Sequence, residues 1–117
     1  MPLDGEASAK FYCADIVGSL TMNGLALYRM KDKDSYDIYA VAGFYRGGPK
    51  SASEAFLVSL KGTVYERVSQ DALGEIRDAF SFVTSQGPMA VARFVGSEDV
   101  RVDSYLRLRT FLEGLKG

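Results

Sequence analysis

Residues 36–45, YDIYAVAGFY, decide the predicted fold because their side chains alternate between two sides of an extended chain. The two sets are Tyr36, Ile38, Ala40, Ala42 and Phe44 on one side, and Asp37, Tyr39, Val41 and Tyr45 on the other. A period of two residues is typical of a β-strand with one buried face. We therefore predict a strand over residues 36–45 and an antiparallel sheet built outward from it.

Two more strands are predicted before this one, over residues 10–22 and 25–31. Both stretches carry aromatic or aliphatic residues, and Asn23-Gly24 between them favours a tight type I′ turn. The charged stretch KDKDS then supplies a turn into residues 36–45. Three strands joined by short turns form an antiparallel meander.

Residues 51–62 permit two interpretations. The spacing of Ser51 and Glu54 fits a capping box at the start of a short helix. The run FLV is more typical of a strand, and Lys61-Gly62 suits a tight turn between two strands. We predict the second hairpin, with its strands over residues 54–60 and 63–68.

The second half of the chain contains the two predicted helices. Apolar residues recur at helical spacing over residues 70–86, and Gly87-Pro88 ends this helix. Residues 88–95, PMAVARFV, are predicted as a strand. Residues 100–108 alternate as a strand does, but an apolar helical stripe runs through to Leu115, so we predict a terminal helix over 103–115 after a short extended piece.

These segments predict a single α+β domain over residues 1–117. Its centre is a twisted antiparallel sheet of five or six strands, with two helices packed on one face. Residues 1–8 mix proline, glycine and polar groups without a period, and we expect them to form a loosely ordered N-terminus.

Composition narrows the classes of function. Fourteen Lys and Arg against fifteen Asp and Glu give a net charge of -1, which does not favour nucleic acid. A single cysteine, Cys13, and no secretion signal at the start predict a cytoplasmic protein, and the apolar stretches are too short to span a membrane.

The chain contains no histidine. This removes the commonest ligand of zinc, copper and non-haem iron, and every nucleophile that a histidine would activate. We therefore expect no metal site, no cofactor and no catalytic residues, and we favour a protein that is not an enzyme.

The stretch GFYRGGPKS, residues 43–51, nearly matches a nucleotide-binding P-loop. Pro49 stands between the second glycine and the lysine, where it removes a backbone N–H that the phosphate would need. The motif is therefore excluded. A weaker anion site remains, built from the basic, hydroxyl and glycine residues of this loop: Arg46, Gly47, Gly48, Lys50 and Ser51.

Three functions follow as hypotheses. The first is a protein–protein interaction module, a homodimer or a partner-binding protein, that uses the aromatic strand face of Tyr39, Val41 and Tyr45. The alternative is binding of a small anionic metabolite between sheet and helix, at the loop of Arg46 and Lys50. The third is nucleic-acid binding through an arginine-rich C-terminal segment with Arg101, Arg107 and Arg109.

Overall fold

The computed structural model describes residues 16–60 and 66–116, which form six α-helices and two short 3-10 helices. The α-helices are α1 (Ile16–Leu25), α2 (Asp32–Phe44), α3 (Pro49–Leu60), α4 (Glu66–Ala79), α5 (Gln86–Val95) and α6 (Asp99–Gly114). The 3-10 helices are Ala26–Arg29 and Tyr45–Gly47. These two described ranges contain no β-strand, so the predicted α+β fold with its antiparallel sheet is wrong.

Most segments predicted as strands are helical. Residues 36–45 fall in α2 and the 3-10 turn after it, residues 54–60 in α3, and residues 88–95 in α5. The helical interpretation of the stretch after Ser51 was therefore the right one, although the helix begins at Pro49. Asn23-Gly24 lies inside α1 and makes no hairpin.

Both segments predicted as helices are helical, with different limits. The first begins earlier and ends earlier than 70–86, and the second begins at Asp99 rather than at residue 103, so residues 99–102 are not extended. Three features lie outside the described residues: the terminus at 1–8, Cys13 and the turn at 61–62.

Helix α2 has its buried residues at helical spacing, although its sequence also alternates. They are Ser35, Ile38, Tyr39, Ala42 and Gly43, with Asp34 beside them. Several of these residues are small or polar and do not register as apolar, which is why the helical period was missed. Burial of small residues suits a helix that packs closely on its neighbours, and α2 contacts α1, α3, α5 and α6.

Pro49 and Pro88 lie at the starts of helices in this protein, whereas Gly87-Pro88 was predicted to end one. Pro49 is the first residue of α3, a position where the missing N–H costs nothing and the fixed φ suits a helix. Pro88 lies in the first turn of α5 rather than beyond the end of α4, and it is buried. Gly96 ends α5 with a φ of 81°, the left-handed conformation typical of a helix C-terminus.

One hydrophobic core contains side chains from all six helices. Its fully buried large members include Ile16 of α1, Ile38 of α2, Phe56 of α3, Ile76 of α4 and Phe111 of α6. The Phe56 and Phe111 rings meet edge to face with their centroids 5.9 Å apart. This geometry is favourable for aromatic pairs and contributes to the contact between α3 and α6.

Helices α1 and α4 approach closely because small residues lie between them. A methyl group at Gly24 would stand 2.9 Å from the backbone oxygen of Ala72 and 3.2 Å from the Ile76 side chain. Beside this contact, the buried hydroxyls of Thr21 and Ser69 are hydrogen-bonded at 2.8 Å. The pair satisfies two polar groups that water does not reach.

Candidate functional site

Thirteen large apolar side chains are exposed in the described part of the chain, and four of them lie within nine consecutive residues. These four, Met22, Leu25, Tyr28 and Met30, are called the Met-Tyr face below. Met22, Tyr28 and Met30 are 74%, 79% and 66% exposed. Single exposed apolar residues are ordinary on a protein surface, whereas a group of this size indicates a binding surface.

The backbone presents the Met-Tyr face through a tight turn. Helix α1 ends at Leu25, and the 3-10 helix Ala26–Arg29 follows directly. Met30 closes that turn in the left-handed conformation, with φ 58° and ψ 31°, and its N–H donates to the Leu27 carbonyl at 3.0 Å. A residue other than glycine in this conformation is uncommon and costs conformational energy.

Leu27 holds the turn against the protein. Its side chain is 3% exposed and belongs to the core, and its carbonyl also accepts a hydrogen bond from Gln86 Nε2 at 3.1 Å. The Arg29 guanidinium binds both carboxylate oxygens of Asp34 at 3.2 Å. Because the turn is anchored on both sides, Tyr28 and Met30 project from a fixed support.

Two shallow grooves extend the Met-Tyr face. One, of about 420 Å³, follows the turn along Met22, Leu25 and Tyr28. The other, of about 360 Å³, runs between α1 and α2 and is lined by Ser19, Asp37, Ala40 and Val41 together with Met22 and Asn23. Both grooves share Met22 and Asn23, so they adjoin each other, and the second groove adds Ala40 and Val41.

The predicted interface residues Tyr39, Val41 and Tyr45 do not share one face, because the strand alternation that grouped them is absent. Tyr39 is buried between α2 and α6, and Tyr45 lies in a separate groove at the start of α3. Only Val41 borders the Met-Tyr face. The exposed side chains themselves were missed because Asn23-Gly24 was interpreted as a turn between strands.

Tyr39 belongs to a polar junction between α2 and α6. Its hydroxyl donates to Asp103 Oδ2 at 2.6 Å, and Arg107 Nε donates to the same oxygen at 2.9 Å. Arg107 Nη1 also donates to the Gly43 carbonyl at 2.9 Å, and the guanidinium lies 4.1 Å from the centre of the Phe44 ring. The arginine therefore ties both helices through three kinds of contact.

This junction has the properties of a structural contact rather than of a catalytic pair. Burial, and then the hydrogen bond to Asp103, raise the pKa of Tyr39 to about 12. A phenol of that pKa stays protonated at neutral pH and does not act as a base or nucleophile there. We therefore assign Tyr39 to the stability of the α2–α6 contact.

The predicted anion loop lies where α2 meets α3: Arg46, Gly47 and Gly48 precede α3, and Lys50 and Ser51 belong to its first turn. Arg46 adopts φ 50° and Gly47 φ 100°, so the chain turns sharply before Gly48 and the first residue of α3. Arg46 and Ser51 line an open groove of about 390 Å³, but Lys50 does not. Glu54 lines the same groove, and its negative charge opposes an anion there.

The arginines predicted to form a basic surface are each paired with a carboxylate. Arg101 binds Glu98 at 2.8 Å, Arg107 binds Asp103 at 2.9 Å, and Arg109 binds Glu113 at 3.3 Å. Pairing lowers the positive potential that a polyanion would meet. The three residues also point in different directions around α6, so they form no stripe.

Two kinds of feature are absent from the part of the chain that the structure describes. Within residues 16–60 and 66–116, no cluster of three or more carboxylate, thiol or imidazole groups is placed to hold a metal ion. No helix in the same two ranges has the length and apolar character needed to cross a membrane.

Comparison with other proteins yields no relative: no family model, curated protein or solved structure matches this chain. Its function is therefore inferred from the geometry of its own surface.

Proposed function

We propose that this protein is a non-enzymatic interaction module that forms a homodimer through the Met-Tyr face. The observation that carries the proposal is the exposure of Met22 near the end of α1 and of Tyr28 and Met30 on the anchored turn that follows it. Methionine side chains adapt to a partner's shape, and tyrosine supplies a large contact area at a low cost in side-chain entropy. Both residue types are enriched at protein interfaces.

The size of the Met-Tyr face suits a symmetric pair. Side chains of this size present about 150–250 Å² each when fully exposed. Two copies that meet through the same four side chains would cover on the order of 1,000 Å², the lower limit for a specific interface. The adjoining groove between α1 and α2 adds Val41 and Ala40 to that area.

Charge also favours a second copy as the partner. The net charge of -1 gives two copies little mutual repulsion. Beside the Met-Tyr face, Arg29 is paired with Asp34, and Lys33 with Asp37. A partner of strong opposite charge would therefore find few free charges to bind here, whereas a second neutral apolar face is complementary. The single cysteine supports a cytoplasmic setting for this association.

Sedimentation velocity over a range of protein concentrations tests the proposal. We expect a reversible dimer, and the double variant Met22→Ser/Tyr28→Ser should weaken it by roughly tenfold or more, since central interface side chains carry most of the binding energy. The matched control is Leu106→Ser on α6, because Leu106 is 49% exposed and lies outside the Met-Tyr face. This control should leave the dimer unchanged.

Two results would overturn the proposal. The first is a monomer at every concentration. The second is a dimer that Leu106→Ser dissociates and that Met22→Ser/Tyr28→Ser leaves intact, which would place the contact on α6. Because all three substituted residues are exposed, circular dichroism should show the same helix content in each variant.

A further inference from the structure

A cleft between the end of α4 and the second half of α6 contains an excess of positive charge. Its volume is about 270 Å³, and three cationic side chains reach it: Arg77 from α4, and Arg109 and Lys116 from α6 and the residues after it. Phe80 and Leu112 form its apolar floor and are 2% and 8% exposed. The cleft thus combines an apolar base with a cationic rim.

Only one carboxylate lines this cleft among the described residues. Glu113 binds Arg109 Nε at 3.3 Å and neutralises that charge. Among the side chains described, those of residues 16–60 and 67–116, no acidic group lies within ion-pair distance of Arg77 or Lys116. Two positive charges therefore remain uncompensated, in contrast to the Arg46 groove, where Glu54 faces a single arginine.

The Tyr105 hydroxyl supplies a neutral polar group to the same cleft. Tyr105 lines the cleft beside Arg109, and a phenol hydroxyl can donate a hydrogen bond to a ligand oxygen. Two guanidinium groups, an ammonium and a phenol form the donor set that proteins use for phosphate oxygens.

We propose that this cleft binds a phosphate monoester dianion whose ester group is small and apolar or aromatic. The two uncompensated positive charges match the charge of the dianion, and Phe80 and Leu112 contact the ester group. The volume is below that of a typical pocket for a drug-sized ligand, so it takes a small head group rather than a whole nucleotide. This site is separate from the Met-Tyr face and does not depend on dimerisation.

Phenyl phosphate is the probe, titrated into the full chain at neutral pH and followed by chemical shifts of backbone amides. We expect saturable shifts at residues of α4 and α6 around the cleft. Phenyl sulfate, a monoanion of similar shape, should bind several-fold more weakly because it carries one charge fewer, and inorganic phosphate should also bind more weakly because it lacks the ring.

The double variant Arg77→Gln/Lys116→Gln should weaken phenyl phosphate by roughly tenfold or more, since each charge-assisted hydrogen bond contributes substantially to affinity. The matched control is Arg46→Gln/Arg67→Gln, which removes the same number of exposed arginine or lysine charges elsewhere and should leave the affinity within about twofold. Loss of binding in the control, an equal loss in both variants or an absence of saturable shifts would overturn the proposal.

The phosphate ester has two sources, a free metabolite and a phosphorylated side chain of another protein. A short peptide with one phosphotyrosine distinguishes them in the same titration. Binding at least tenfold tighter than phenyl phosphate would assign the site to a phosphorylated protein, and equal or weaker binding would assign it to a free ester.

Discussion

Two helix contacts in this protein are built from opposite kinds of side chain. Helices α1 and α4 meet through Gly24 and Ala72, whose small size lets the backbones touch. Helices α2 and α6 are bridged instead by the long side chains of Tyr39 and Arg107, which share Asp103. The α1–α4 contact depends on there being no larger side chain at Gly24, and the α2–α6 contact depends on hydrogen bonds between particular side-chain atoms. The two should therefore fail under different substitutions.

The largest effect is expected from Gly24→Val. Its side chain would meet the Ala72 carbonyl, which belongs to the backbone and moves only with the helix. Overpacking of this kind costs about 3 kcal/mol of unfolding free energy. Urea denaturation measures the loss.

Gly74→Val is the matched control, because Gly74 lies inside α4 and a methyl group there would have no heavy atom within 4 Å. We expect a change within about 0.5 kcal/mol, since valine and glycine differ little in helix propensity. Similar losses in the two variants would show that valine is poorly tolerated in either helix, and that close approach at Gly24 is not the cause.

A smaller effect is expected at the α2–α6 contact from Asp103→Ala. This change leaves the Tyr39 hydroxyl and the Arg107 guanidinium without their shared acceptor. Loss of such a bonded pair costs about 1–2 kcal/mol, at the lower end here because the Asp103 side chain is 41% exposed. The control is Glu98→Ala, which removes the more exposed carboxylate that binds Arg101. Denaturant titration of both variants should show a smaller loss of unfolding free energy in this control. Equal losses of unfolding free energy in the two variants would show that the hydrogen bond from Tyr39 to Asp103 does not stabilise the contact.

The smallest expected effect is a loss of stability at alkaline pH, where Tyr39 ionises. It concerns the α2–α6 contact alone, because the residues that meet Gly24 in the α1–α4 contact, Ala72 and Ile76, do not ionise. The raised pKa of Tyr39 means that its neutral form is favoured in the folded protein. The resulting stability is complete below pH about 10, the ordinary value, and is lost as the pH rises towards about 12.

Tyrosinate absorbance measured against pH follows this ionisation directly. Tyr39→Phe should remove a late-titrating component, and Asp103→Ala should move that component to lower pH. Gly24→Val should leave its midpoint in place as long as the variant is folded. A titration of the wild-type protein that lacks any late component would contradict the buried position of Tyr39.

The sequence predicted α4 because that helix separates apolar from polar residues along its length, and α6 because an apolar stripe runs through its second half. Leu73 and Ile76 are buried, while Glu75 and Arg77 are exposed, which is the pattern that a helical period detects. Helix α5 also has a buried side, with Gly87, Pro88, Ala90, Val91 and Ala92, but its exposed side includes the apolar Met89 and Phe94. The sequence therefore shows a short and nearly continuous apolar run, which is equally typical of a strand.

The candidate sites were less predictable than the helices. Met22 and Tyr28 are residue types that also occur in protein cores, and only their exposed positions, on α1 and on the anchored turn after it, make them a surface. Arg77 and Lys116 are far apart in sequence, and the packing of α4 on α6 brings them to one cleft. No local pattern indicates such a pairing, because it depends on how distant segments meet.

By itself, the sequence determined the near-neutral charge, the lack of histidine and the two helices whose apolar residues recur at a clear helical period. Tertiary structure decided the rest. Residues such as Ser35, Ala42 and Gly43 are buried because neighbouring helices cover them, and their own hydrophobicity would not place them there. An alternating segment such as residues 36–45 can form either a strand or a helix. Which of the two is more stable depends on the surfaces of the protein against which the segment can pack.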